Sequence, residues 1–255
     1  MRSETGAVES LSKEYHVGVS GFSYPKWKGT FYPKNMKSEE FLAYYCQKLS
    51  SVEVNSSFYA APKAAMIESW SEKTTESFVF SFKAPQLITH ILKIGKGAAE
   101  SAEKFAKSLG PLGPRQGPIL FQLPPYSKAD LTLLGDFLSG TSGIKNRVFE
   151  FRHESWLQES TYQLLESNGA GFCIAETEDL KPVLKVTGET AYFRLRMDYY
   201  DVKAVAAWAR KIRDVIEDVK ACYVYLRHDE TGENALLAQG LAEQLKKDVK
   251  GQKNE

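Results

Sequence analysis

The chain has 255 residues, of which 43% are hydrophobic, 12% aromatic and 25% charged, an ordinary globular profile that excludes a disordered or fibrous protein. Its 33 Lys and Arg against 32 Asp and Glu leave no global basic field of the kind that drives non-specific nucleic-acid binding. No apolar run reaches the roughly 20 residues of a transmembrane helix, and the opening MRSETGAVESLSKEY lacks the apolar stretch of a signal peptide, so a cytoplasmic protein with no membrane partner is expected.

Taken in chain order, a polar segment 1–15 is expected to be flexible, and residues 17–20 form the first strand. A long aromatic loop then leads to a helix over 38–49. Apolar runs alternate with amphipathic segments from there on. Strands are predicted at 51–55, 78–83, 117–123, 147–152, 171–176, 190–196 and 222–227, and helices at 64–73, 98–109, 128–139, 156–167, 202–217 and 233–247. The segment 110–118, GPLGPRQGP, is loop punctuation, and 248–255 is a polar tail. This βα rhythm predicts an α/β fold, a single (β/α)8 TIM-type barrel over 16–247 with irregularities, and the length suits one such barrel. An open doubly wound sheet is the alternative. No GxGxxG or Walker loop follows any strand, so no nucleotide cofactor is expected.

Functional residues of such a barrel project from the C-terminal strand ends, and here those ends are polar. Side chains alternate along a strand. Val52-Glu53-Val54-Asn55 and Phe149-Glu150-Phe151-Arg152 therefore send their apolar members to the helices and Glu53, Asn55, Glu150 and Arg152 into the barrel. The same parity turns Ser20, Lys83, Gln122, Arg194 and Arg196 inward. Lys83, Arg152, Arg194 and Arg196 outnumber Glu53 and Glu150, so a small anionic ligand is matched; the arginine fork suits phosphate or carboxylate. Alternatively, the two glutamates are spent in a closed internal network with these cations.

The segment Arg152-His153-Glu154-Ser155-Trp156 offers an acid or base in His153 and an aromatic platform in Trp156; equally, His153 caps the following helix and Trp156 packs beneath it. In the first loop Trp27, Phe31 and Tyr32 read as packing, and Tyr24 as a ligand contact. Asn55 and Tyr59 bring an amide and a phenol to the second strand's exit, where turn stabilisation is the plain alternative for Asn55. Lys83 is a candidate Schiff-base amine if burial beside cations depresses its pKa, or else an ion-pair partner of a glutamate. His90 and His228 fall in loops at the rim. Cys46, Cys173 and Cys222, widely spaced in apolar runs, read as reduced core thiols. With four His residues, none at ligand spacing on a helix, no metal site is expected.

Five ordered blocks resemble the YecE-like proteins, the family called domain of unknown function 72, over about Val17 to Ala238. These are Gly21-Phe22-Ser23-Tyr24 with Trp27, Gly29 and Phe31-Tyr32-Pro33; Val52-Glu53-Val54-Asn55 with Phe58-Tyr59; Phe80-Ser81-Phe82-Lys83-Ala84-Pro85 with Thr89-His90; Phe121-Gln122-Leu123-Pro124-Pro125; and Glu150-Phe151-Arg152-His153 with Trp156. The resemblance implies a TIM-type barrel of uncharacterised activity. Where that family has Arg-x-His-Gly after the seventh strand, this chain has Arg194-Leu195-Arg196-Met197; an Asn-Asn after the eighth is Arg227-His228, and an Asp after the sixth is Glu176.

The leading expectation is a metal-independent barrel enzyme acting on a small anionic substrate. Glu53 or Glu150 with His153, and Lys83, would supply the chemistry. Tyr24, Asn55, Tyr59, Gln122, Arg152, Trp156, Arg194 and Arg196 would bind. The alternatives are a nucleic-acid binding or processing protein, suggested by the aromatic and cationic rim, and a non-catalytic ligand-binding barrel. Nothing in the sequence sets the oligomeric state.

Overall fold

Period-two alternation in eight short segments builds the barrel wall. The computed structural model describes residues 14–179, 181–216 and 219–251. Strands β1 (Glu14–Val19), β2 (Ser51–Val54), β3 (Val79–Lys83), β4 (Gln116–Gln122), β5 (Arg147–Glu150), β6 (Gly171–Glu176), β7 (Thr190–Leu195) and β8 (Ala221–Leu226) pair in parallel in the order β1-β8-β7-β6-β5-β4-β3-β2. Helices α1 (Phe41–Lys48), α2 (Ala64–Lys73), α3 (Ala98–Ser108), α4 (Leu131–Gly140), α5 (Glu159–Ser167), α6 (Val202–Val215) and α7 (Glu233–Gly251) surround it.

These elements match the predicted ones to within a few residues. β1 begins at Glu14, so Glu14 and Tyr15 belong to the sheet; the rest of the N-terminal segment lies outside the described residues. α7 continues to Gly251, beyond the predicted boundary at 247, and residues 252–255 also lie outside.

Each helix lays an apolar stripe on the sheet. In α6, Val205, Trp208, Ala209 and Ile212 are buried at helical spacing, and Asp201 caps the helix by accepting from the Ala204 N–H at 2.7 Å. On the outer face of the sheet Phe80 stacks on Trp70 of α2 at 5.3 Å, and Phe82 meets Phe105 of α3 at 6.3 Å. Inside the barrel a second apolar cluster of Val79, Leu120, Val148, Cys173, Tyr192, Tyr223 and Tyr225 fills the centre, a packed floor of the kind expected in such barrels. Tyr225 Oη ties this floor together through Ser51 Oγ at 2.5 Å and Ser81 Oγ at 2.7 Å.

Closure between β1 and β2 rests on side chains more than on a ladder. The strands meet in one bridge, Ser20 to Glu53. Below it the Tyr45 hydroxyl accepts from Val19 N–H at 2.9 Å and donates to Ser51 O at 3.0 Å, while Ser50 Oγ accepts from Val17 N–H at 3.0 Å. A Cβ at Gly18 would lie 1.8 Å from the Ser51 carbonyl oxygen, so only glycine lets the strands approach here. This seam rules out the open doubly wound sheet.

Candidate functional site

Just above the Tyr225 floor, β2, β5 and β7 each contribute a charged side chain to the barrel axis. Glu53, Glu150 and Arg194 are almost wholly buried. Arg194 donates to both oxygens of Glu53, Nε to Oε1 at 2.8 Å and Nη2 to Oε2 at 2.9 Å, and its Nη1 donates to Glu150 Oε2 at 2.5 Å. One guanidinium thus bridges two carboxylates. Tyr192 Oη completes Glu53 Oε1 at 2.9 Å. Gln122 Nε2 donates to Glu150 Oε1 at 2.8 Å, and Arg152 Nε donates to the same oxygen. Each of the four carboxylate oxygens thus accepts at least one hydrogen bond, as burial of charge demands.

This network fixes the protonation states. Burial would raise the Glu150 carboxyl, but Arg194 and Arg152 outweigh it and hold Glu150 at about 2. For Glu53 burial is likewise overcome, by Arg194 and Arg196, and its pKa falls below the usual range. Both are carboxylates near neutral pH. The closed-network alternative therefore describes the two glutamates and Arg194.

The remaining cations are in excess. Four positive groups share two buried carboxylates at the barrel axis, with Glu154 and Asp179 further out on the cleft wall. Arg196 Nη1 is buried with no hydrogen-bond partner and reaches Glu53 Oε2 only at 3.9 Å; burial and then Arg194 lower its pKa to about 10. Lys83 forms no ion pair with any described residue. Its ammonium lies 4.0 Å from the centroid of Phe58, a cation–π contact. Burial, and after it the charge of Arg194, lower Lys83 to about 8. Phe58 is held there by Ser57, whose Oγ hydrogen-bonds both Val54 O and Lys83 O at 2.7 Å.

Two clefts open on this mouth. One, of ≈ 550 Å³, is lined by His90, Gln122, Arg152, His153, Thr177 and Asp179. His90 is carried on a π-helical turn (Leu87–Ile91), bonds Thr89 Oγ1 through Nδ1 at 2.9 Å and meets the Phe58 ring edge-on at 4.9 Å; burial and then Lys83 lower its pKa. His153 Nδ1 accepts from the Ser155 N–H at 3.1 Å, capping the turn Glu154–Trp156, and this leaves Nε2 to carry the ring proton in the neutral form. The second cleft, of ≈ 450 Å³, is more apolar and lies between the loops after β1 and β2, with Phe22, Tyr24, Asn55, Met66 and Trp70 among its walls. Asn55 makes no capping bond, and its Oδ1 is buried without a partner, so turn stabilisation by its side chain is not its role. Tyr24 Oη donates to Ser20 O at 2.8 Å, and its ring stacks on His228 at 4.7 Å.

Two expected binding residues stand elsewhere. Trp156 is 1% exposed, stacked on Phe151 at 4.6 Å with its indole N–H on Ser127 O at 2.8 Å; it is a core residue and presents no platform to a ligand. Phe151 points outward by strand parity and draws Trp156 with it. Tyr59 is 77% exposed and touches the mouth only through the edge of Phe58. Trp27, Phe31 and Tyr32 are buried, as the packing reading requires. Cys173 and Cys222 are buried, whereas Cys46 is half-buried.

Sequence reasoning passed over Tyr192, which caps Glu53. The signal was present, because Tyr192 shares the inward parity of Arg194 on β7. Tyr45 gave no such signal, since its role depends on the gap between β1 and β2. Among the described residues no three His, Cys, Asp or Glu side chains converge as a metal-ligand group, and no helix is long and apolar enough to cross a membrane.

Known proteins resemble this chain in sequence and fold. The profile of the family described as "Protein of unknown function DUF72" matches residues 16–255. The chain belongs to that family. It is similar to the UPF0759 protein YecE of Escherichia coli, 31% identical over 139 residues, which are 54% of this chain and 48% of YecE. It is also similar to the UPF0759 protein YunF of Bacillus subtilis, 29% identical over 157 residues, 58% of this chain and 54% of YunF. The match thus spans about half the length of these curated relatives. A DUF72 protein of Thermotoga maritima superposes with a TM-score of 0.79 at 28% identity, covering 93% of this chain and 99% of that one.

The residues that depart from the pattern implied by resemblance occupy one side of the mouth. Arg196 stands over Glu53, and Arg227 pairs with Asp198. His228 lies against Ser20 and Tyr24. Glu176 Oε2 accepts from Tyr200 Oη and Trp208 Nε1, both at 2.8 Å, and so ties down the connection between β7 and α6.

Proposed function

We propose that the mouth of this DUF72 barrel binds a small phosphate- or carboxylate-bearing molecule and performs acid–base chemistry on it with its own side chains. The observation that carries this reading is a pair of cations short of partners: Arg196, with a buried nitrogen that has no hydrogen-bond partner, and Lys83, with no carboxylate of a described residue at ion-pair distance. An anion entering the mouth supplies what both lack, and the surrounding low-dielectric walls strengthen the attraction. Arg152 and Arg196 grip the anion. Arg194 does not, because each of its nitrogens already donates to Glu53 or Glu150; its part is to hold the two carboxylates in place.

Proton transfer in this reading belongs to Lys83, assisted by His153 through Nε2. A carboxyl held at about 2 exchanges no proton near neutral pH, whereas an amine at about 8 is populated in both forms. Gln122, Asn55 and Tyr24 orient the bound molecule, Asn55 through the unpartnered Oδ1.

Calorimetric titration with inorganic phosphate tests the reading. The wild-type protein is expected to bind phosphate at one site, and Arg196→Gln to weaken that binding about ten-fold, the worth of one charge-assisted hydrogen bond. Equal affinity in the two proteins would contradict it.

A further inference from the structure

We infer that Lys83 is a nucleophile whose amine condenses with the carbonyl carbon of a small aldehyde or keto compound carrying a carboxylate or phosphate. The inference rests on the anion-binding reading above, since Arg152 and Arg196 must hold the anionic end while the carbonyl meets the amine.

Three features of the geometry point to it. Lys83 ends β3 facing the mouth, and its backbone carbonyl is fixed by Ser57 Oγ at 2.7 Å, so the side chain starts from a rigid strand end. Its Nζ lies 4.0 Å from the Phe58 centroid, with no carboxylate of any described residue at ion-pair distance, while Glu53 and Glu150 are engaged by arginines. The His90 imidazole contacts the same ring edge-on at 4.9 Å and lines the cleft, placing a group that moves protons beside the amine. Burial and the neighbouring Arg194 charge favour the neutral amine over the ammonium and outweigh the cation–π attraction of the Phe58 face, consistent with a pKa lowered to about 8. Desolvation of this kind is how a lysine becomes reactive near neutral pH.

The ammonium first gives a proton to His90; the lone pair of the neutral Nζ then forms a bond to the carbonyl carbon, and the C=O π pair moves to oxygen, which takes that proton from His90. Nitrogen gives up a proton to His90, producing a neutral carbinolamine. Protonation of the hydroxyl by His90 and departure of water as the nitrogen lone pair forms C=N gives the protonated imine. The net change joins one ammonium and one carbonyl, and releases one water. No oxidant or other co-reactant is needed.

Glyoxylate with cyanoborohydride near neutral pH provides the test, because hydride traps the imine as a carboxymethyl group that peptide mass mapping locates. Lys83 is expected to be alkylated on the order of ten-fold faster than the exposed Lys63, its larger share of free amine being partly offset by lower intrinsic basicity. Inorganic phosphate is expected to slow labelling of Lys83 and not of Lys63, and Lys83→Met to remove that one adduct. Labelling of Lys83 no faster than Lys63 would overturn the inference. Fast labelling that phosphate does not slow would overturn the assignment of an anionic carbonyl compound. Slow labelling in a protein that still binds phosphate sinks only the nucleophile; if phosphate also fails to bind, the anion site falls with it.

Discussion

Arg194 decides the character of the mouth. By bridging Glu53 and Glu150 it converts what would be two costly buried anions into a fixed carboxylate pair, and its charge adds to burial in lowering Lys83 and Arg196. Strand parity made the inward set legible from sequence, from Glu53 and Asn55 through Lys83, Gln122, Glu150 and Arg152 to Arg194 and Arg196. Which cation takes which carboxylate was not legible, because that depends on how β7 faces β2 across the closed barrel. The Glu150 carboxyl carries a pH signature. Its folded pKa is depressed from 4.5 to about 2, so the unfolded chain takes up the proton first as pH falls. The stability it contributes is complete above about pH 4.5 and drains as pH falls toward 2. Glu150→Gln is expected to lose about 3–5 kcal/mol at pH 7, the usual result of removing one partner from a buried charge pair, and to show a flatter acid limb in denaturant melts. An acid limb as steep as the wild type's would show that Glu150 is not depressed.

At the level of elements, the strands were readable because each is short, apolar on one side and bounded by turn residues. Their edges were not: β1 reaches back to Glu14, and the helix expected over 38–49 opens with a 3-10 turn at Ser38–Glu40 before α1. Trp156 shows a different limit. Its indole could serve a ligand or the core equally well on sequence, and the outward parity of Phe151 is what assigns it to the core. The β1–β2 seam was invisible, since a tyrosine on α1 replaces ladder hydrogen bonds there. Tyr45→Phe would leave the Val19 N–H and the Ser51 carbonyl without this partner at a site that is fully buried. A loss of about 1–3 kcal/mol is expected, measurable by urea unfolding, with faster hydrogen exchange at the Val19 amide. Unchanged exchange at Val19 would show that the hydroxyl is not the closing group.

Across the whole molecule, a chain with almost balanced charge gathers four cations around two buried carboxylates at one end of the barrel axis. The family match and the superposition with the Thermotoga maritima protein establish the scaffold, and the activity has to be argued from the site. The floor of tyrosines, the Glu53–Arg194–Glu150 bridge and the cations above them form successive tiers, each satisfied by the one below except the last. That last tier is the central claim. It is tested most directly by following Lys83 by NMR in protein carrying ¹³C-labelled lysine, as pH is raised with and without inorganic phosphate. The account expects the free protein's Lys83 to titrate near 8, and phosphate to move that titration upward by adding negative charge beside the ammonium. Titration in the ordinary lysine range, unmoved by phosphate, would contradict it.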